Sequence, residues 1–190
     1  MAIYIALLRG INVGGKNIIK MAELRKTLEQ IGLLRVQTYI QSGNVLFESD
    51  ADEESLRKLI ENEIDRVFHI SLAVILRTAE ELNFIAANCP YTADEISEAE
   101  SMSDAESLYV AFLPKEPSKE SLARLEVFQT VDDQLRAKGR EIYLLYRHSI
   151  LKSKLANNLP KLDVPATVRN WKTLSKLVAL ANEMTATTQR

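Results

Sequence analysis

The sequence predicts an α+β fold in which a β-α-β-β-α-β order runs along the chain twice. Three observations predict it. The opening run from Ile3 to Leu8 is apolar at every position. Two tight turns, Gln41-Ser42-Gly43 and Lys138-Gly139-Arg140, each join two strand-like segments, and each pair follows an amphipathic helical pattern. Between the halves lies an acidic stretch, Asn88 to Ser107, with six carboxylates and no Lys or Arg.

Each element of the first half has its own signal. Ile3, Ile5 and Leu7 alternate with Tyr4, Ala6 and Leu8, so this strand is apolar on both faces and is expected to be central and covered. After a loop to about Ile19, the residues Met21, Leu24, Leu28 and Ile31 form one helical stripe, which Gly32 is placed to end. Val36 to Ile40 and Asn44 to Phe47 are the strands of a hairpin. Leu56, Leu59, Ile60, Ile64, Val67 and Phe68 mark a second helix, and residues 70 to 77 a further strand. Thr78 with Glu81 is a capping box that opens a short helix ending near Pro90.

The second half repeats the order. Residues 107 to 113 are a strand, and Leu122, Leu125 and Phe128 mark a helix introduced by Pro117. Val131 to Ala137 pairs with Glu141 to Tyr146, His148 to Asn157 reads as helix, and a reduced strand spans Ala166 to Arg169. Trp171, Leu174, Leu177, Val178 and Ala181 give the last helix. The expected architecture is therefore two ferredoxin-like, split βαβ subdomains in tandem: 1–88, an acidic connecting segment at 89–106, and 107–190 ending in a long helix.

With 190 residues, 46% hydrophobic and 26% charged, the chain has the composition of an ordinary soluble protein. Ile3 to Leu8 has no basic segment before it and is too short for a signal peptide or a membrane span, so a cytoplasmic protein without membrane residence is expected. Cys89 is the single cysteine, which excludes an internal disulfide, and no metal site or particular cofactor is indicated. Although net charge is -2, Arg136 to Lys176 holds ten Lys or Arg against Glu141 and Asp163. Such a segment either meets an anionic partner or is balanced by acids folded nearby.

The loop after the first strand, Gly10 to Lys16, matches G-x-x-x-x-G-K of a phosphate-binding loop, but Asn17 stands where a hydroxyl must hold Mg²⁺. The next helical stripe begins only near Met21, and the following hairpin is antiparallel, so a nucleotide-hydrolysing domain is disfavoured. Two readings remain. Either Gly10, Gly14 and Gly15 supply positive φ in a turn with Lys16 in solvent, or the loop holds an anion without hydrolysing it.

Three segments, ALLRGINVGGKN at 6–17, TYIQSGNVLF at 38–47 and TVRNWKTLSKL at 167–177, resemble the hallmark segments of the domain-of-unknown-function 1697 family. The resemblance implies a bacterial α+β protein with ferredoxin-like subdomains and no established activity. It singles out Arg9, Asn12, Lys16 and Asn17, then Gln41, Ser42 and Asn44, and then Arg169, Asn170, Trp171, Thr173 and Lys176. Ser153 and Lys154 match more weakly. Lys172 and Asp163-Val164-Pro165 depart from the family's pattern.

Asn170 is placed to cap the last helix, with Arg169 beside its exposed N–H groups, an arrangement suited to an anion. The functional expectation is binding of an anionic, phosphate-bearing small ligand in a cleft between the two subdomains, with no catalysis assigned. Its residues are Arg9, Asn12, Lys16, Asn17, Gln41, Asn44, Lys154, Arg169, Asn170 and Lys176. One alternative is an RNA or single-stranded nucleic-acid binding module, with Tyr4 and Phe47 on the strands that carry stacking aromatics in an RNA-recognition motif. The other is an enzyme acting on a phosphorylated substrate, for which Cys89, His69 and His148 supply no clear nucleophile-base pair.

Overall fold

The computed structural model describes residues 1–188 and divides into two units. One is Met1–Phe84 with the chain from Lys176 onward, and the other is Ile85–Ser175. In the first, β1 (Ala2–Leu8), α1 (Met21–Gln30), β2 (Leu34–Tyr39), β3 (Asn44–Ser49), α2 (Glu53–Phe68) and β4 (Val74–Thr78) follow in order. The sheet runs β2-β3-β1-β4 with every neighbour antiparallel. That is the ferredoxin-like arrangement, with β1 central as its two-sided apolarity requires.

The second unit repeats it with β5 (Leu108–Phe112), α5 (Lys119–Glu126), β6 (Asp133–Lys138), β7 (Glu141–Tyr146), α6 (Lys154–Asn158) and β8 (Thr167–Asn170). Its sheet order, β6-β7-β5-β8, is the same permutation. Register makes the repeat concrete. Arg77 lies opposite Ile5, which lies opposite Leu46, and Arg169 lies opposite Val110, which lies opposite Tyr143. Two further helices precede β5, α3 (Ala79–Ala87) and α4 (Ala93–Ser101), and α7 (Trp171–Thr188) follows β8.

Local chemistry sets the element ends. Thr78 and Glu81 form the expected capping box, with the Glu81 N–H donating to Thr78 Oγ1 at 3.1 Å and the Thr78 N–H to Glu81 Oε2 at 2.8 Å. Asn170 caps α7 by accepting from the Thr173 N–H at 2.8 Å. Three expectations shift. The strand read at 70–77 starts at Val74, because β1 ends at Leu8, the residue paired with Val74. The helix read at 148–157 is broken into a 3-10 turn at Ile150–Lys152 and α6, because the Ser153 hydroxyl accepts from the Ala156 N–H and starts a new helix. Within 89–106, residues 93–101 are helix, opened by a Thr92–Glu95 capping box.

Both faces of each sheet are buried. Tyr4, Ala6, Leu8, Val45 and Phe47 share a core with Leu24 and Leu28 of α1 and Leu56, Ile60 and Ile64 of α2. Ile5, Leu7, Leu46 and Ile75 face the other way and are buried too. There the far part of α7 is anchored by Arg35, which donates to Glu48 Oε2 at 3.3 Å, to Met184 O at 3.1 Å and to Thr187 Oγ1. In the second unit Ala111, Ile142, Leu144 and Tyr146 pack on Leu125, Leu155 and Leu159. The opposite face carries Arg136, which reaches Glu95 of α4 at 2.5 Å and lies 4.2 Å over the Tyr91 ring.

Arg136 holds the Glu95 carboxyl well below its ordinary 4.5, at about 2, first by its side-chain hydrogen bond and then with help from the Thr92 N–H. A depressed carboxyl stabilises the fold fully above its unfolded value and loses that contribution as pH falls toward the folded value. Glu95→Gln preserves the capping box yet removes the charge. It should lower the urea midpoint at about pH 6, and the gap to the parent should narrow as pH drops from about 4.5 toward about 2.

Candidate functional site

The glycine loop is a small, cross-braced hairpin. Five of its residues from Gly10 to Asn17 have positive φ: Gly10 at 71°, Asn12 at 54°, Gly14 at 58°, Gly15 at 73° and Asn17 at 50°. The Lys16 N–H donates to Val13 O at 3.0 Å across Gly14-Gly15, a two-residue turn that needs left-handed residues at both central positions. Asn12 N–H donates to Asn17 O at 3.1 Å, and the Asn17 side chain donates to Gly10 O at 3.0 Å. No helix starts at Lys16, since α1 begins at Met21. The arrangement is therefore a glycine turn and not a nucleotide-hydrolysing loop.

Asn12 links this loop to the second hallmark segment. Its Oδ1 accepts from the Ile19 N–H at 2.8 Å, while its Nδ2 donates to Ile19 O at 3.0 Å and Gln41 O at 2.8 Å. Asn44 is fully buried and donates to Tyr39 O and Ser42 Oγ, each at 3.0 Å, which shapes the turn between β2 and β3. The Gly43 carbonyl accepts from the Leu8 N–H at 2.8 Å. Thus the asparagines build the scaffold, and Arg9, Lys16 and Gln41 are the exposed side chains on it. Val13 and Ile18, which sequence reasoning passed over, are also exposed there, at 65% and 62%. The adjacent apolar pair Ile18-Ile19, of which a loop need bury only one, was the available signal.

The other predicted residues belong to the second unit and to α7. Arg169 is buried on β8 and donates to Thr167 Oγ1 at 2.8 Å and Val168 O at 2.9 Å. Burial lowers its pKa to about 10, so it stays charged at neutral pH. Asn170 is occupied as the α7 cap, and Trp171 is half-buried. Lys154 is exposed on α6 and Lys176 on α7.

Other chemistries leave weaker traces. Tyr4 and Phe47 stack on each other at 5.8 Å, inside the core beneath α1 and α2, so they offer no platform for bases. Burial pushes the Cys89 thiol up, away from the nucleophilic thiolate. Among the described residues, no three His, Cys, Asp or Glu side chains lie together as metal ligands, and no helix is long and apolar enough to cross a membrane. Acids folded nearby balance part of the basic segment, since Arg136 pairs with Glu95 and Arg147 pairs with Glu98 at 2.9 Å.

A family described as "Protein of unknown function (DUF1697)" matches residues 1–143. The chain belongs to the DUF1697 family. The matched span contains both loops of the braced hairpin, whereas the segment at 167–177 lies beyond it. Among solved structures, the conserved bacterial protein SP0830 from Streptococcus pneumoniae is similar over 95% of this chain and 98% of its own. The two are 27% identical, with a TM-score of 0.71. No curated protein matches the chain significantly.

Gly43 is where the DUF1697 hairpin and the β2–β3 turn interlock. A Cβ there would meet Ile11 Cδ1 at 2.7 Å and Leu8 Cβ at 2.9 Å, on a backbone with φ of 78°. Gly14, with φ of 58°, has open space around it. Gly43→Ala should therefore destabilise the protein by about 2–4 kcal/mol, from strain and overpacking together, against about 1 kcal/mol for Gly14→Ala. Urea unfolding of the two variants checks the difference.

Proposed function

We propose that this DUF1697 protein binds an anionic, phosphate-bearing small ligand at the braced loop of its first unit. The observation that carries the reading is the pinned run of left-handed residues from Gly10 to Asn17, flanked by exposed Arg9 and Lys16. Left-handed non-glycine residues such as Asn12 and Asn17 cost conformational energy and persist where the surroundings enforce them, commonly in ligand clamps. A fixed loop with two cations meets an anion at little ordering cost. Exposed Val13 and Ile18 favour a ligand with an apolar portion beside its anionic group.

Within this reading, Arg9, Lys16 and Gln41 touch the ligand, and Asn12, Asn17 and Asn44 hold the loop's shape. Lys154, Arg169, Asn170 and Lys176 draw no support from the loop geometry, and each is tested by its own alanine variant in the same titration. Nucleic acid is the weaker alternative because the aromatic pair is enclosed. An enzyme acting on a phosphorylated substrate would need a base beside this loop, and neither His69 nor His148 belongs to it.

Calorimetric titration with pyrophosphate and with adenosine monophosphate tests the proposal. Saturable binding is expected, and Lys16→Ala should weaken it by about 1.5–3 kcal/mol, the range for a hydrogen bond to a charged group. The variant's thermal midpoint should stay near the parent's, since Lys16 is exposed. Absence of binding by the parent protein, or equal binding by parent and variant, would reject the site.

A further inference from the structure

The second unit is an imperfect copy of the first on its helical side. In the first, sixteen-residue α2 lays Leu56, Ile60 and Ile64 against Leu24 and Leu28 of α1 in one continuous core. In the second, the same position in the order holds five-residue α6 between 3-10 turns at Ile150–Lys152 and Leu159–Lys161. The shorter element covers less of α5. A cavity of about 430 Å³ is left there, walled by Leu125, Phe128 and Leu162 together with Arg124, Asn158 and Lys161. Its volume falls within the range of small-molecule sites.

The charged groups around this cavity are of one sign. No carboxylate is among the described residues that line it. Asp163, near the start of α5, is already accepting from the Ser118 N–H at 3.2 Å. Among the described residues Arg124 makes no ion pair, and the Lys161 ammonium meets only the face of the Phe128 ring, at 5.9 Å. Asn158 donates through Nδ2 to Lys154 O at 2.7 Å, which fixes the amide's orientation. Its buried Oδ1 meets no donor among the described residues. Two uncommitted cations, an apolar wall and an unmatched acceptor form a consistent set of demands.

We propose that this α5–α6 cavity binds a small organic acid, a carboxylate on an apolar body. Arg124 and Lys161 take the carboxylate, Leu125, Phe128 and Leu162 cover the body, and Asn158 Oδ1 accepts from a hydroxyl or N–H on the ligand. A neutral ligand leaves both cations unused, and a bare inorganic anion leaves the apolar wall uncovered. The site lies within the second unit and does not depend on the glycine loop.

The test uses the full chain with 8-anilinonaphthalene-1-sulfonate, which combines an anion, an apolar body and an N–H. One saturable site is expected, displaced by octanoate. Arg124→Gln combined with Lys161→Gln should weaken sulfonate binding by about tenfold or more, since two charge-assisted bonds are lost. Binding of the uncharged analogue N-phenyl-1-naphthylamine should change less than about twofold, because the apolar wall is intact. Both substitutions are at exposed positions, and Lys16→Ala should leave this binding untouched, so failure here is distinct from failure at the loop. As a second measurement, octanoate should shift the backbone amide resonances of Arg124, Phe128 and Asn158. No saturable binding, equal affinity in the double variant, or shifts confined to other residues would each overturn the proposal.

Discussion

The structure depends on one constraint: β1 and β5 are apolar on both faces, so each sheet must be covered twice. A split βαβ unit brings its two helices to one side only. The second side of each sheet has to be closed by chain from outside the repeat. On that side Arg35 of β2 hydrogen-bonds to the far part of α7 in the first unit, and Arg136 of β6 pairs with Glu95 of α4 in the second. The same strand of each repeat thus supplies the arginine that holds the added helix. Both arginines keep a carboxylate partner, Glu48 and Glu95, so neither charge faces the apolar side uncompensated.

With both faces covered, the loops at the sheet ends are left in solvent. The base-stacking surface of an RNA-recognition motif needs an open sheet face, and here Tyr4 and Phe47 are enclosed. Exposed at one end of the first unit is the tip formed by the glycine loop and the β2–β3 turn. That tip is stiff, because Asn12 ties Ile19 to Gln41 and Gly43 admits the side chains of Ile11 and Leu8 against its backbone. In the second unit the open feature is instead a defect of coverage, where α6 is too short to replace α2.

Much of this was legible in the sequence, for physical reasons that differ by element. Alternation at Ile3–Leu8, the stripes at Leu24/Leu28 and Leu56/Ile60/Ile64, and the Thr78–Glu81 box depend on neighbours within a few residues, and all appear as read. Asn170 was readable as a cap for the same reason. Long-range properties were not. Nothing local to Arg169 announces that it is buried, and nothing local to Asn12 announces the Gln41 carbonyl. The Thr92–Glu95 box was present in the letters, but the surrounding carboxylates read as connecting chain; the helix they form is held through Arg136, a residue 41 positions away.

The anchoring of α7 by Arg35 places a demand on timing during synthesis. β1 to β4 emerge from the ribosome early, yet the helix that Arg35 anchors comes only after the whole of Ile85–Ser175 has been made. At about 5–20 residues per second, that interval is on the order of 5–20 s. The contact between Arg35 and the residues around Met184 therefore forms only once the second unit has been made.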